Sequence, residues 1–123
     1  MIVALIHWRI KPDAASEKAF LEHWNERNRI AGGSGLIGEF LTQALPEGAF
    51  EHANWDIAGP GDHISYFTVG LWRDLESFKR AVSPYIEDEH DFEQPGRRRA
   101  VFEPVEWRVG EAALPDKNSP RAR

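Results

Sequence analysis

Residues 2–10, IVALIHWRI, place Ile2, Ala4, Ile6, Trp8 and Ile10 on one side and Val3, Leu5, His7 and Arg9 on the other. A period of two is the mark of a strand. Both sides are mostly apolar, so both faces are expected to be covered. Pro12 and Asp13 then supply a stop and a helix N-cap. Over 14–31 the period becomes that of a helix. Phe20, Leu21, Trp24 and Ala31 share one arc, with Lys18, Glu22, Asn25, Glu26 and Arg29 opposite. Asn28 falls inside the apolar arc, where a buried amide must find hydrogen-bond partners. Gly32, Gly33 and Gly35 end the helix.

Residues 36–45 predict a second strand, 46–63 a long loop and 64–72 a third strand. Asp74 caps a short second helix with Leu75, Phe78 and Val82 inward, and Pro84 kinks or ends it. Residues 85–99 are polar and irregular. A fourth strand is expected over about 100–109, with Pro104 making its middle an edge or a bulge. The order β-α-β, β-α-β predicts an α+β fold, the ferredoxin-like βαββαβ arrangement with an antiparallel sheet. The expected domain is 1–110, followed by a loose tail over 111–123. Two helices cover only one face of such a sheet. A second copy of the chain is the economical cover for the other, which predicts a homodimer, a dimeric α/β barrel.

Composition narrows the partners. The 123 residues carry a formal net charge of −5 with the signs well mixed, which argues against nucleic acid. The basic run Arg97–Arg99 reads as a solvated loop or a partner contact. There is no cysteine, hence no disulfide, thiolate nucleophile or thiolate metal cluster, which suits a cytoplasmic location. No apolar run approaches the roughly 20 residues that span a bilayer, so no membrane is expected. The apolar start alternates and lacks a basic leader, which argues for a strand over a signal peptide. Five tryptophans are the unusual count, and aromatic rings fill cores or line pockets.

Two segments are similar to a known family. WRIKPD at 8–13, followed by a helix containing Phe20, resembles the opening of antibiotic biosynthesis monooxygenase-like proteins of the dimeric α+β barrel superfamily. FTVGLWRDLESF at 67–78 resembles their third strand and second helix, and the resemblance covers roughly residues 2–82. It implies a small-molecule pocket between helices and sheet. The family includes cofactor-independent oxygenases of phenols or quinols, haem-degrading members, and many members with no assigned activity. The haem-degrading members use an asparagine on strand 1, a tryptophan on the second helix and a histidine soon after. Here the first two positions match Trp8 and Ala81, and His90 lies one residue from the third.

The leading expectation is therefore a monooxygenase-like enzyme on an aromatic, quinol or polyketide-like molecule, working without metal or flavin. The alternatives are haem binding or degradation, and a non-catalytic small-molecule-binding dimer. Cofactor-free oxygenation needs an ionised substrate, a proton acceptor, donors for an oxyanion and a dry enclosure. His90, in EDEHDFE, is the first candidate base or ligand, and Asn28 the candidate for positioning a substrate oxygen. Each also has a plain reading, as a solvated histidine and as a satisfied amide. Trp8, Trp24 and Trp72 are candidate pocket walls or simply core. Tyr66 shares the face of Trp72 and is a candidate donor, and His23 flanks the apolar arc of the first helix. The stretch His52–His63 holds two histidines and two aspartates, but no compact metal spacing such as H-x-x-x-H. It reads as a connection, a lid or a dimer arm, with Trp55 folding back on something apolar.

Overall fold

A computed structural model of the chain describes residues 1–27, 33–57 and 61–116. Four strands form one antiparallel sheet: β1 (Ile2–Ile10), β2 (Leu36–Gln43), β3 (Ile64–Trp72) and β4 (Arg98–Phe102), in the order β2-β3-β1-β4. Helices α1 (Ala14–Glu22) and α2 (Leu75–Val82) lie between β1 and β2 and between β3 and β4 in the chain. This is the ferredoxin-like α+β fold. Among the described residues no helix is long and apolar enough to cross a membrane.

Both helices begin where an aspartate can accept a backbone N–H. Asp13 accepts from the Ser16 amide at 2.7 Å and Asp74 from the Ser77 amide at 2.7 Å. The first helix departs from its expected length. After Glu22 the chain passes into a π-helical turn, His23–Arg27. Asn28, Arg29 and Ala31 lie outside the described residues. The second helix tightens into a 3₁₀ turn, Ser83–Tyr85, at Pro84.

The helix-covered face carries two apolar clusters. One joins Trp8, Ile10, Phe20, Tyr66 and Phe92, with Trp24 packed against it. The other joins Ile2, Ala4, Trp72 and Phe78. Gly35, with φ of 93°, brings the chain back against α2, where an added Cβ would meet Ser77 Oγ at 2.5 Å. Only glycine suits both the left-handed backbone and the contact.

Two strands differ from expectation. β2 carries a bulge between Leu36 and Gly38, so that Leu36 opposes Trp72 and Glu39 opposes Gly70. The extra residue restores Glu39 to the face of Leu36, which simple alternation would deny it. The fourth strand lies earlier than expected, at Arg98–Phe102, and ends before Pro104. Proline cannot donate to the ladder, so it terminates the pairing. The basic run is thus largely strand, and Arg97 is no solvated loop residue. Its side chain is 7% exposed and held by carboxylates.

The helix-free face presents Val3, Leu5 and His7 of β1 opposite Leu71, Val69 and Phe67 of β3, flanked by Phe40 and Phe102. Phe40 and Phe102 are 44% and 52% exposed. Beyond Phe102, Val105, Trp107, Val109 and Leu114 are exposed, as are Leu45, Phe50 and Trp55 in the loop after β2. Trp55 is 76% exposed and does not fold back on the described residues.

Candidate functional site

A narrow cleft lies between α2 and the sheet. Its lining includes Trp8 of β1, Thr68 and Trp72 of β3, Glu39 of β2, Arg99 of β4, and Phe78 and Tyr85 of the helical layer. Its inner space is about 30 Å³, room for a water or two. Each strand contributes a residue because these positions share the helix-covered face: Glu39 opposes Gly70, and Arg99 opposes Ile6. The floor is fixed. Trp8 is 2% exposed and donates from Nε1 to Thr68 Oγ1 at 2.9 Å, and Trp72 stacks edge-on to Phe78 at 5.6 Å.

Two ionisable groups enter this cleft from the two edge strands. Burial raises the Glu39 carboxyl above the ordinary carboxylate range. Burial lowers the Arg99 guanidinium, with a further push from the charge of Arg97. Arg99 donates from Nη2 to the Tyr85 carbonyl at 3.2 Å, while its buried Nε has no partner among the described residues. From opposite edges of the sheet, Glu39 offers a carboxyl that keeps its proton more readily and can exchange one, and Arg99 an incompletely bonded guanidinium that can receive an oxyanion.

A second grouping sits at the other side of Arg97. The loop after α2 is tied to β1 by Lys11 N–H to the Phe92 carbonyl at 2.9 Å and by Gln94 N–H to the Arg9 carbonyl at 2.8 Å. That seats the His90 ring flat on Phe92, centroids 4.7 Å apart, and 4.3 Å from the ring of His23. His90 Nε2 lies 2.9 Å from Asp88 Oδ2. Arg97 binds Asp88 Oδ1 at 2.8 Å, both oxygens of Glu93 at 2.8 and 2.6 Å, and lies over Trp8 at 4.1 Å. Burial opposes ionisation of Asp88, but the bonds from Arg97 and His90 outweigh it and hold its carboxyl below the usual value.

The sequence-derived candidates therefore divide. Trp8 and Trp72 line the cleft. His90 and His23 meet each other on the α1 side. Trp24 packs there too, its buried Nε1 without a partner among the described residues. Tyr66 faces the same side as Trp72, but its hydroxyl donates to Glu17 Oε1 at 2.8 Å, so it braces α1. Asn28 lies outside the described residues. In the 52–63 stretch, His52 is exposed beside Glu51. His63 turns inward, with Nδ1 2.5 Å from Asp62 and Nε2 3.0 Å from Ser65 Oγ. Ser65 Oγ also meets His7 Nε2 at 3.1 Å and donates to the Ile57 carbonyl. Its hydroxyl proton is thus committed to a carbonyl, which makes the array a structural tie on the helix-free face. Sequence reading missed Glu39, Arg99 and Asp88. A lone carboxylate in the apolar LIGEFL was the available signal for the first.

No family profile matches the chain, and no curated protein matches it. Solved structures do. MhuD of Mycobacterium tuberculosis, a heme-degrader with two hemes bound in its active site, is 19% identical, with a TM-score of 0.53 over 88% of this chain and 99% of that one. An EthD-family protein of Bacillus halodurans is 18% identical, with a TM-score of 0.50 over 85% and 100%. SnoaB of Streptomyces nogalater, a cofactor-independent oxygenase, is 14% identical, with a TM-score of 0.46 over 94% and 97%. The chain shares the α+β fold of the MhuD and EthD-family structures, the fold that the resemblance to antibiotic biosynthesis monooxygenase-like proteins implied.

Proposed function

We propose that the protein is a small-molecule enzyme of the cofactor-independent oxygenase type, with the cleft beneath α2 as its substrate site. The observation that carries this reading is Glu39: a carboxyl raised by burial, in a cleft walled by Trp8, Trp72 and Phe78. A flat, ionisable ring of the phenol or quinol class, whose keto tautomer carries the reacting CH₂ as an anthrone does, suits tryptophan walls. Glu39 takes a proton from the substrate, and Arg99 receives the oxyanion formed. The ionised ring passes one electron to dioxygen, and the two radicals join in a carbon–oxygen bond. Protonation of the peroxide and loss of water with the second hydrogen of the same carbon leave a carbonyl. A CH₂ group and dioxygen thus become C=O and water, and no outside reductant is consumed. The observed space is far smaller than a ring, so binding requires the Tyr85 end of α2 to move outward.

The apolar face without helices belongs to the same reading. A second copy covers Val3, Leu5, Phe40, Val69 and Phe102, and the exposed Trp55 and Trp107 supply further contact.

Dioxygen uptake over a panel of anthrones and quinols tests the activity. We expect turnover by the wild type and a loss of about 100-fold or more in Glu39→Gln, the scale of a general base. Background uptake with every substrate overturns the oxygenase reading and leaves a binding protein. A Soret shift on haem titration that vanishes in His90→Ala would replace the oxygenase reading with a haem one.

A further inference from the structure

We propose that His23, Asp88 and His90 form a binding site for a divalent first-row transition cation of the zinc(II) type. The two imidazoles and the carboxylate each offer one ligand atom, all within 4.8 Å of one another. Two nitrogens and one oxygen are a donor set that such cations accept without thiolate. Bonds of about 2 Å would draw the three atoms closer, and rotation of the imidazoles about their Cβ atoms is the motion available.

The surroundings are those of a held site more than of a chance meeting. Phe92 backs both rings, at 4.7 Å from His90 and 5.6 Å from His23. Asp88 is clamped from behind: Arg97 takes Oδ1, which leaves Oδ2 facing His90. Outer bonds of this kind orient a carboxylate for a metal. Arg97 pairs with Glu93 through both oxygens and with Asp88 through Oδ1, so Oδ2 is the Asp88 oxygen left to meet an incoming ion. The contact between His90 and Asp88 then exchanges a shared proton for a shared metal.

Three protein ligands leave coordination positions open. Beside Asp88 and His90 lies a surface hollow of about 300 Å³, lined also by Glu87, Glu89, Gln94 and Gly96. Water or a small anionic ligand reaches the ion from there, as at metal sites that exchange ligands. The ion would also tie the end of α1, through His23, to the loop that follows α2. This site is separate from the Glu39 cleft and does not depend on the oxygenase reading.

The test uses the full-length, untagged chain, freed of metal with a chelator. Calorimetric titration with zinc(II) is expected to show one equivalent bound. Cobalt(II) is expected to give visible absorption bands, and to broaden the ring protons of His23 and His90 but not those of exposed His52. Replacing either imidazole, as His23→Gln or His90→Gln, should weaken zinc by more than the roughly 10–100-fold that loss of an outer partner costs. Far-UV circular dichroism checks that both variants fold. If either unfolds, the wild-type broadening pattern alone decides. No stoichiometric binding, affinity that survives both substitutions, or broadening centred on His52 overturns the site. Dioxygen uptake in Glu39→Gln is read separately, so the two proposals stand or fall apart.

Discussion

At the scale of the residue, Glu39 is a group whose folding cost and chemical use are the same property. Burial raises its pKa, so the folded chain holds its proton more tightly than the unfolded chain does. The stability linked to that proton is fully present below the ordinary carboxylate pKa and is lost as pH rises through the elevated folded value. Above the ordinary carboxylate range this group is thus a burden on the fold. Glu39→Gln is expected to raise the thermal midpoint at neutral pH, with the advantage fading in acid. Thermal unfolding of both proteins across that range measures it. A variant no more stable at neutral pH than in acid would show that the carboxyl is well solvated. The position was hard to find in the sequence because strand parity was the guide, and the bulge at Ile37 resets parity. His90 was legible as a histidine set in the acidic run EDEHDFE, but its contact with His23 joins segments 67 residues apart in number. No local pattern encodes that.

At the scale of the element, the boundaries follow caps and breakers. Asp13, Asp74 and Pro84 act where the pattern placed them. The third strand matches its alternating run from end to end. The fourth did not, because its apolar residues after Pro104 imitate a strand that proline forbids. Asp74 gives a second pH signature. Its carboxyl is lowered to about 2, first by the bond from the Ser77 amide, then by the Ser77 hydroxyl. A depressed folded pKa gives stability that is present above the unfolded value near 3.8 and is lost as pH falls toward about 2. Asp74→Ala is therefore expected to lower the thermal midpoint at neutral pH, and the gap to wild type should close as the solution is acidified. A gap constant with pH would mean that the effect lies in helix packing and not in the capping charge.

At the scale of the whole molecule, the fold was readable because two covered faces and only two helices leave one account open. The four-stranded sheet and its order are those of the ferredoxin-like arrangement. The second copy remains our proposal, and its measurement is direct. Sedimentation or light scattering of the wild type is expected to give twice the chain mass. Phe40→Asp, a charge set at the β2 edge of the bare face, is expected to halve it. A wild type that runs at the mass of one chain at working concentration would remove the second copy, and with it the account of Trp55 and Trp107.

Arg97 has a mechanical consequence. One guanidinium rests on the indole of Trp8, grips the Tyr85 carbonyl, and holds Asp88 and Glu93. Any swing of the Tyr85 corner that widens the space under α2 must pull on that same planar group. The imidazole pair at the opposite rim therefore feels the swing. Two mouths hung on a single peg cannot open as strangers to each other.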